Sequence, residues 1–120
     1  MELNELLALA QRAVDLVVAD VHRTTAEHPR IVVSAWMDDG VRIEVNGGFT
    51  APSMWATREP AAIAEVADYI QEQLDGELGC WPVCGGHGVG LHAEVRDDSA
   101  VWRCRLGDHT VALIGDLESG

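Results

Sequence analysis

The chain has 120 residues and a net charge of −12, with 48% apolar and 23% charged residues and a mean hydropathy of +0.03. These values describe one soluble domain with a single core, and no run of about 18 apolar residues exists to span a membrane. All eight basic residues are arginine, so lysine chemistry is excluded. No basic stripe neutralises the phosphates of DNA or RNA, and the charge favours basic proteins or metal ions instead.

The first residues, Met1-Glu2-Leu3-Asn4-Glu5, lack the basic start and small-residue cleavage site of a signal peptide, and a cytoplasmic location is expected. Leu3, Leu6, Leu7, Ala10, Val14, Val17, Val18 and Val21 recur at three- and four-residue steps, which predicts an amphipathic helix of about six turns. Glu2, Glu5, Gln11, Arg12, Asp15 and Asp20 are read as its polar face. The pattern fades at His22-Arg23-Thr24-Thr25, and Pro29 disfavours helical backbone at His28. His22 and His28 are read as cations or polar caps at the helix end rather than metal ligands.

Ile31 to Asn46 reads as a β-hairpin around Asp38-Asp39-Gly40. A two-residue Asp39-Gly40 turn would pair Met37 with Arg42 and Ala35 with Glu44, mixing apolar and charged residues on one face. A three-residue loop that pairs Met37 with Val41, Ala35 with Ile43 and Val33 with Val45 leaves one face wholly apolar, with Gly40 left-handed in a bulge. Trp36 then lies on the opposite face. It is expected to be covered by the 47–57 loop or the C-terminal segment, the alternative being an exposed anchor for a partner protein. The 47–57 loop itself carries Phe49, Met54 and Trp55. A second helix follows, with Pro60 at its first position, Ile63, Val66, Ala67, Ile70 and Leu74 as its buried stripe, and Gly76 or Gly79 at its end.

All three cysteines and three of the five histidines fall after residue 79: Cys80, Cys84, His87, His92, Cys104 and His109. Cys84 to His87 is a C-x2-H step and Cys104 to His109 a C-x4-H step, each within the spacing of paired zinc ligands, whose atoms must converge on one ion about 2.0–2.3 Å away. Gly85, Gly86 and Gly107 permit tight backbone folding there. An odd cysteine count also argues against a disulfide scaffold. Leu91–Val95, Ala100–Cys104 and Thr110–Ile114 read as three strands, the first two joined by a turn at Asp97-Asp98-Ser99. Cys80, by a C-x3-C step, and His92 are competing ligands. Pro82 stiffens the link from Cys80, and His92 sits inside a predicted strand, so Cys84, His87, Cys104 and His109 are preferred.

On these four residues the segment 80–114 resembles a zinc ribbon, with His in place of the commoner Cys at the second ligand of each knuckle. The expected architecture is α+β. One domain over 1–120 comprises an α-β-β-α portion, 1–79, and a zinc-ribbon-like portion, 80–120, packed on it. Four protein ligands would close the coordination sphere around a structural Zn²⁺. The expected function is therefore a non-enzymatic, acidic protein-interaction or assembly module, binding a protein partner and neither nucleic acid nor membrane. A small zinc-dependent enzyme or a thiol and zinc redox sensor is the alternative. The chain has no His-Glu-x-x-His helix, no phosphate-binding glycine loop and no serine nucleophile turn.

Overall fold

The computed structural model describes residues 2–118. Its elements run α1 (Leu3–Thr24), β1 (Ile31–Trp36), β2 (Gly40–Val45), α2 (Glu59–Leu78), β3 (His92–Arg96), β4 (Ser99–Cys104) and β5 (His109–Leu113). The fold is α+β, with β1 and β2 in one antiparallel sheet and β3-β4-β5, in that order, in another. The two sheets do not merge. Helix α2 packs on α1 and touches both sheets, through β2 on one side and β3 and β4 on the other. Among the described residues no helix is long and apolar enough to cross a membrane.

Helix α1 buries Ala10, Val14, Val17 and Val21 of the expected stripe and adds Leu9 and Ala13, while Leu3, Leu6, Leu7 and Val18 are only half-buried. His22 and Arg23 occupy its last turn, at the negative end of the helix dipole. The exposed His22 and His28 rings lie 4.8 Å apart there. The expectation for Asp20 is overturned. Instead of facing water it is fully buried, and it accepts hydrogen bonds from Trp102 Nε1 (2.9 Å), the Gly115 amide (2.8 Å), the Leu117 amide (2.9 Å) and Arg23 Nη1 (3.4 Å). A buried carboxylate is tolerable only when its lone pairs are met in this way. Asp20 thereby ties the first helix to β4 and to the chain beyond β5. Trp81 adds a second tie, donating from Nε1 to Thr24 Oγ1 at 2.9 Å.

The hairpin keeps the expected apolar face and the expected loop length of three residues, but its register is shifted by two. Ala35 pairs with Val41, Val33 with Ile43 and Ile31 with Val45, leaving a loop of Met37-Asp38-Asp39. The left-handed residue is Met37 (φ 58°), not Gly40. Gly40 is required for a different reason: a Cβ there would come 2.7 Å from the Trp36 carbonyl oxygen. Because the slip is an even number of residues, the pleat alternation puts the same side chains inward, and Val41, Ile43 and Val45 are buried as expected. Trp36 is half-buried and packs against Phe49 of the following loop, ring centres 6.1 Å apart. That loop is held to the hairpin by Ser53, which donates from its amide to Val41 O (2.7 Å) and accepts at Oγ from the Ile43 amide (3.0 Å). Tyr69 Oη donates to Ile43 O and accepts from the Thr50 amide.

Helix α2 begins at Glu59, with Pro60 second, one place later than expected, and ends at Gly79 (φ 65°), with Gly76 inside it. Ile63, Val66, Ala67, Ile70 and Leu74 are all buried, the four larger side chains contributing about 1.5–3 kcal/mol each. In the C-terminal sheet, Asp97 and Asp98 both have positive φ (50° and 63°) between the paired Arg96 and Ser99, the two-residue turn whose twist matches flanking strands. Trp102, fully buried, points from β4 into the helices and meets Trp81 edge-on at 5.6 Å.

Candidate metal centre

Two short loops present the four candidate side chains. The first spans Pro82 to Leu91: the Leu91 amide donates to Pro82 O and the Cys84 amide to Val89 O, both at 2.8 Å, while the Gly88 amide returns to Cys84 O at 2.7 Å. Gly88 supplies the left-handed turn (φ 68°). Gln71 of α2 fixes this loop to the body by donating from Nε2 to the carbonyls of Trp81 (3.0 Å) and Leu91 (2.7 Å). The second loop joins β4 to β5, from Cys104 to His109, which are paired across the ladder. The Gly107 amide donates to Cys104 Sγ at 3.4 Å.

The loops face each other so that the ligand atoms of Cys84, His87, Cys104 and His109 all lie within 4.8 Å of one another. Cys84 Sγ is 3.4 Å from His87 Nδ1 and 3.6 Å from His109 Nε2, and Cys104 Sγ is 3.4 Å from His87 Nδ1. A tetrahedral ion with metal–sulfur bonds of about 2.3 Å and metal–nitrogen bonds of about 2.0–2.1 Å sets sulfur and nitrogen about 3.5–3.6 Å apart. Three sulfur–nitrogen separations thus match the edges of such a site, and the set can hold a metal ion. Both sulfurs are buried, His109 is half-buried and His87 is exposed.

Electrostatics favour the ligating form of Cys84. The His87 imidazole beside it lowers its thiol from 9.0 to about 6, against the upward push of burial, with the Gly86 and His87 amides and the Cys104 thiol adding to the lowering. The lowering favours the Cys84 thiolate, the form that binds metal. Gly107 is the steric keystone. A Cβ on it would lie 2.7 Å from His109 Cδ2 and closer still to His87 Cε1, whereas a Cβ on Gly86 would meet nothing within 4 Å. Of these two glycines, both read from sequence as giving the backbone freedom to turn, only Gly107 is crowded by the ligand side chains.

The competing ligands stand elsewhere. Cys80 and His92 are exposed and line a separate cleft with Trp81 and Leu91. Among the described residues no other set of three or more His, Cys, Asp or Glu side chains converges in this way. Being in a strand, the ground for passing over His92, does not itself remove a ligand, since His109 opens β5 and still reaches the cluster. Gln71 went unread in the sequence because its partners are backbone carbonyls of a segment that periodicity cannot place.

Comparison with models of protein families, with curated proteins and with solved structures finds no match to this chain.

Proposed function

We propose that this chain is a non-enzymatic, acidic module whose C-terminal loops are stapled by one structural Zn²⁺ bound by Cys84, His87, Cys104 and His109, and that it acts in the cytoplasm by docking on a protein partner. The observation that carries the reading is the convergence of two sulfurs and two imidazole nitrogens from loops separated in sequence. A donor set of that softness in tetrahedral spacing suits zinc. Four protein ligands leave no position for substrate water, so the ion contributes folding free energy rather than chemistry. Two thiolates cancel the charge of Zn²⁺, and the filled protein stays near its net −12, which favours basic protein surfaces over nucleic acid.

Elemental analysis tests the metal. Purified protein is expected to carry about one zinc per chain. Cys84→Ser and Cys104→Ser are expected to lose both the ion and the ordered C-terminal sheet, while Cys80→Ser keeps both. Retention of zinc by Cys84→Ser would overturn the ligand set.

A further inference from the structure

We propose that the groove between the β1–β2 turn, the 51–57 loop and the start of α1 is a docking site for a basic peptide segment that inserts one or two large apolar side chains. The proposal rests on the reading of this chain as an interaction module and supplies that module's surface and the chemistry of its partner. The groove has a volume of about 390 Å³ and is lined chiefly by Leu6, Trp36, Met37, Pro52, Met54 and Trp55. That is the small end of ligand cavities, with room for side chains rather than a large cofactor.

Met37 and Trp55 are each 75% exposed, and they reach the same groove from different segments. Large apolar side chains facing water around one apolar cavity mark an interaction site, and Trp and Met are enriched in protein interfaces. Trp55 does not sit on a loose loop. The Trp55 and Ala56 amides both donate to Glu65 Oε1 of α2, the preceding Ser53 and Met54 are each only 5% exposed, and Ser53 is bonded to β2. A fixed backbone presents the indole at the groove before any partner arrives, so the ordering entropy lost there on binding is confined to its side-chain torsions.

Charge identifies the partner. Asp39 is the one charged side chain among the groove's described lining residues. Exposed Glu5 and Asp38 flank Leu6 and Met37 in sequence, against a single arginine, Arg58, beside Thr57. A segment carrying Lys or Arg around its apolar residues would gain rim pairing and long-range attraction toward a molecule of net charge −12. A second copy of this chain, or an anionic lipid surface, meets like charge instead.

The test selects short random peptides, displayed on phage, against the zinc-loaded full chain, then titrates the enriched peptides into isotope-labelled protein. Enriched sequences are expected to combine Trp, Phe, Leu or Met with Lys or Arg and to move the Trp55 indole and Met37 methyl signals. They are expected to bind Trp55→Ala and Met37→Ser roughly tenfold more weakly, the loss typical of an interface hot spot, and Asp39→Lys several-fold more weakly. Enrichment of acidic peptides, or binding unchanged in the Trp55 and Met37 variants, would overturn the proposal. So would a dimer dispersed by Trp55→Ala, which makes a second copy the occupant, or binding to phosphatidylserine vesicles in place of peptides. Zinc content is measured on the same samples. Protein that holds zinc yet selects no peptide sinks the groove and leaves the staple standing; metal-free protein that still selects basic apolar peptides supports the groove and sinks the staple.

Discussion

Asp20 has no exposure to water and four hydrogen-bond donors around it, two of them backbone amides from the far end of the chain. Removing its carboxylate leaves the Trp102 indole and the Gly115 and Leu117 amides buried without an acceptor, and each orphaned donor costs about 1–3 kcal/mol. Asp20→Ala is therefore expected to lower stability by roughly 3 kcal/mol, a large share of the 5–15 kcal/mol typical of a domain. Urea denaturation checks this, and a loss under about 1 kcal/mol would show that the network relaxes. A sequence signal for Asp20 existed: it lies three residues beyond Val17 and seven beyond Ala13, in step with the buried side of the helix. Reading it as polar and therefore outward let residue type override spacing. At Gly107 the cause is steric. Gly107→Ala is expected to weaken zinc affinity at least tenfold, in the range seen when groups that position ligands are changed, while Gly86→Ala leaves it unchanged. Competition with a chelating dye measures both; equal affinities would remove the steric argument.

At the scale of elements, the outer face of the C-terminal sheet gathers charges that pair across short distances. Glu94 of β3 lies 2.9 Å from Arg105 Nε and 3.0 Å from Arg96 Nη2, and these guanidinium groups, Arg105 foremost, hold its carboxyl below the ordinary value of 4.5. A depressed carboxylate stabilises the fold at pH values above its unfolded pKa, and that stabilisation is lost as pH falls through the folded pKa. The stability difference between the wild type and Glu94→Gln is thus expected to be present at pH 7, below about 1 kcal/mol for so accessible a network, and to shrink progressively below about pH 4.5. Urea midpoints at stepped pH in low salt test it. Both chains share the cysteine and histidine cluster, so subtraction removes that cluster's own acid sensitivity. A difference that grows on acidification would reverse the sign and refute the account.

The elements themselves were largely legible because each is written in local periodicity. The stripe of α2, the apolar face of the hairpin and the three C-terminal strands all stand where alternation and three-and-four spacing put them. The hairpin register was not fixed by that signal. A shift of two residues preserves every inward position, so only the contact of Gly40 with the Trp36 carbonyl and the left-handed Met37 distinguish the two loops.

At the scale of the whole molecule, α2 stands between the two sheets, and its Gln71 grips the loop that carries Cys84 and His87. One cluster of buried apolar residues runs from Leu9 to Leu117, with Cys84 and Cys104 within it. Withdrawing the ion would leave two sulfurs and a half-buried imidazole facing each other beside that cluster. Chelation is accordingly expected to destabilise the chain as a whole, with a broad loss of the Trp81 and Trp102 fluorescence environment, restored by adding zinc. Calorimetry with and without chelator checks it; an unchanged melting temperature would confine any metal to a bystander role. The spacing of Cys84, His87, Cys104 and His109 picks out two candidate ligand pairs, because each pair lies within one loop and the chain's reach is short there. What spacing left open was whether the two pairs meet, and the fold brings their ligand atoms within 4.8 Å.

Taken by itself, the sequence determined the type and order of the elements, the acidity of the chain, and the pairing of candidate ligands within each loop. All of these depend on residues within a few positions of one another or on composition alone. Only the tertiary structure decided that Asp20 is a buried latch, that Cys80 and His92 stand outside the cluster, and that Met37 and Trp55 share a groove. Those facts join residues as far as 97 positions apart, and contacts at such separation are set by how helices and sheets pack, a three-dimensional outcome that no one-dimensional period encodes.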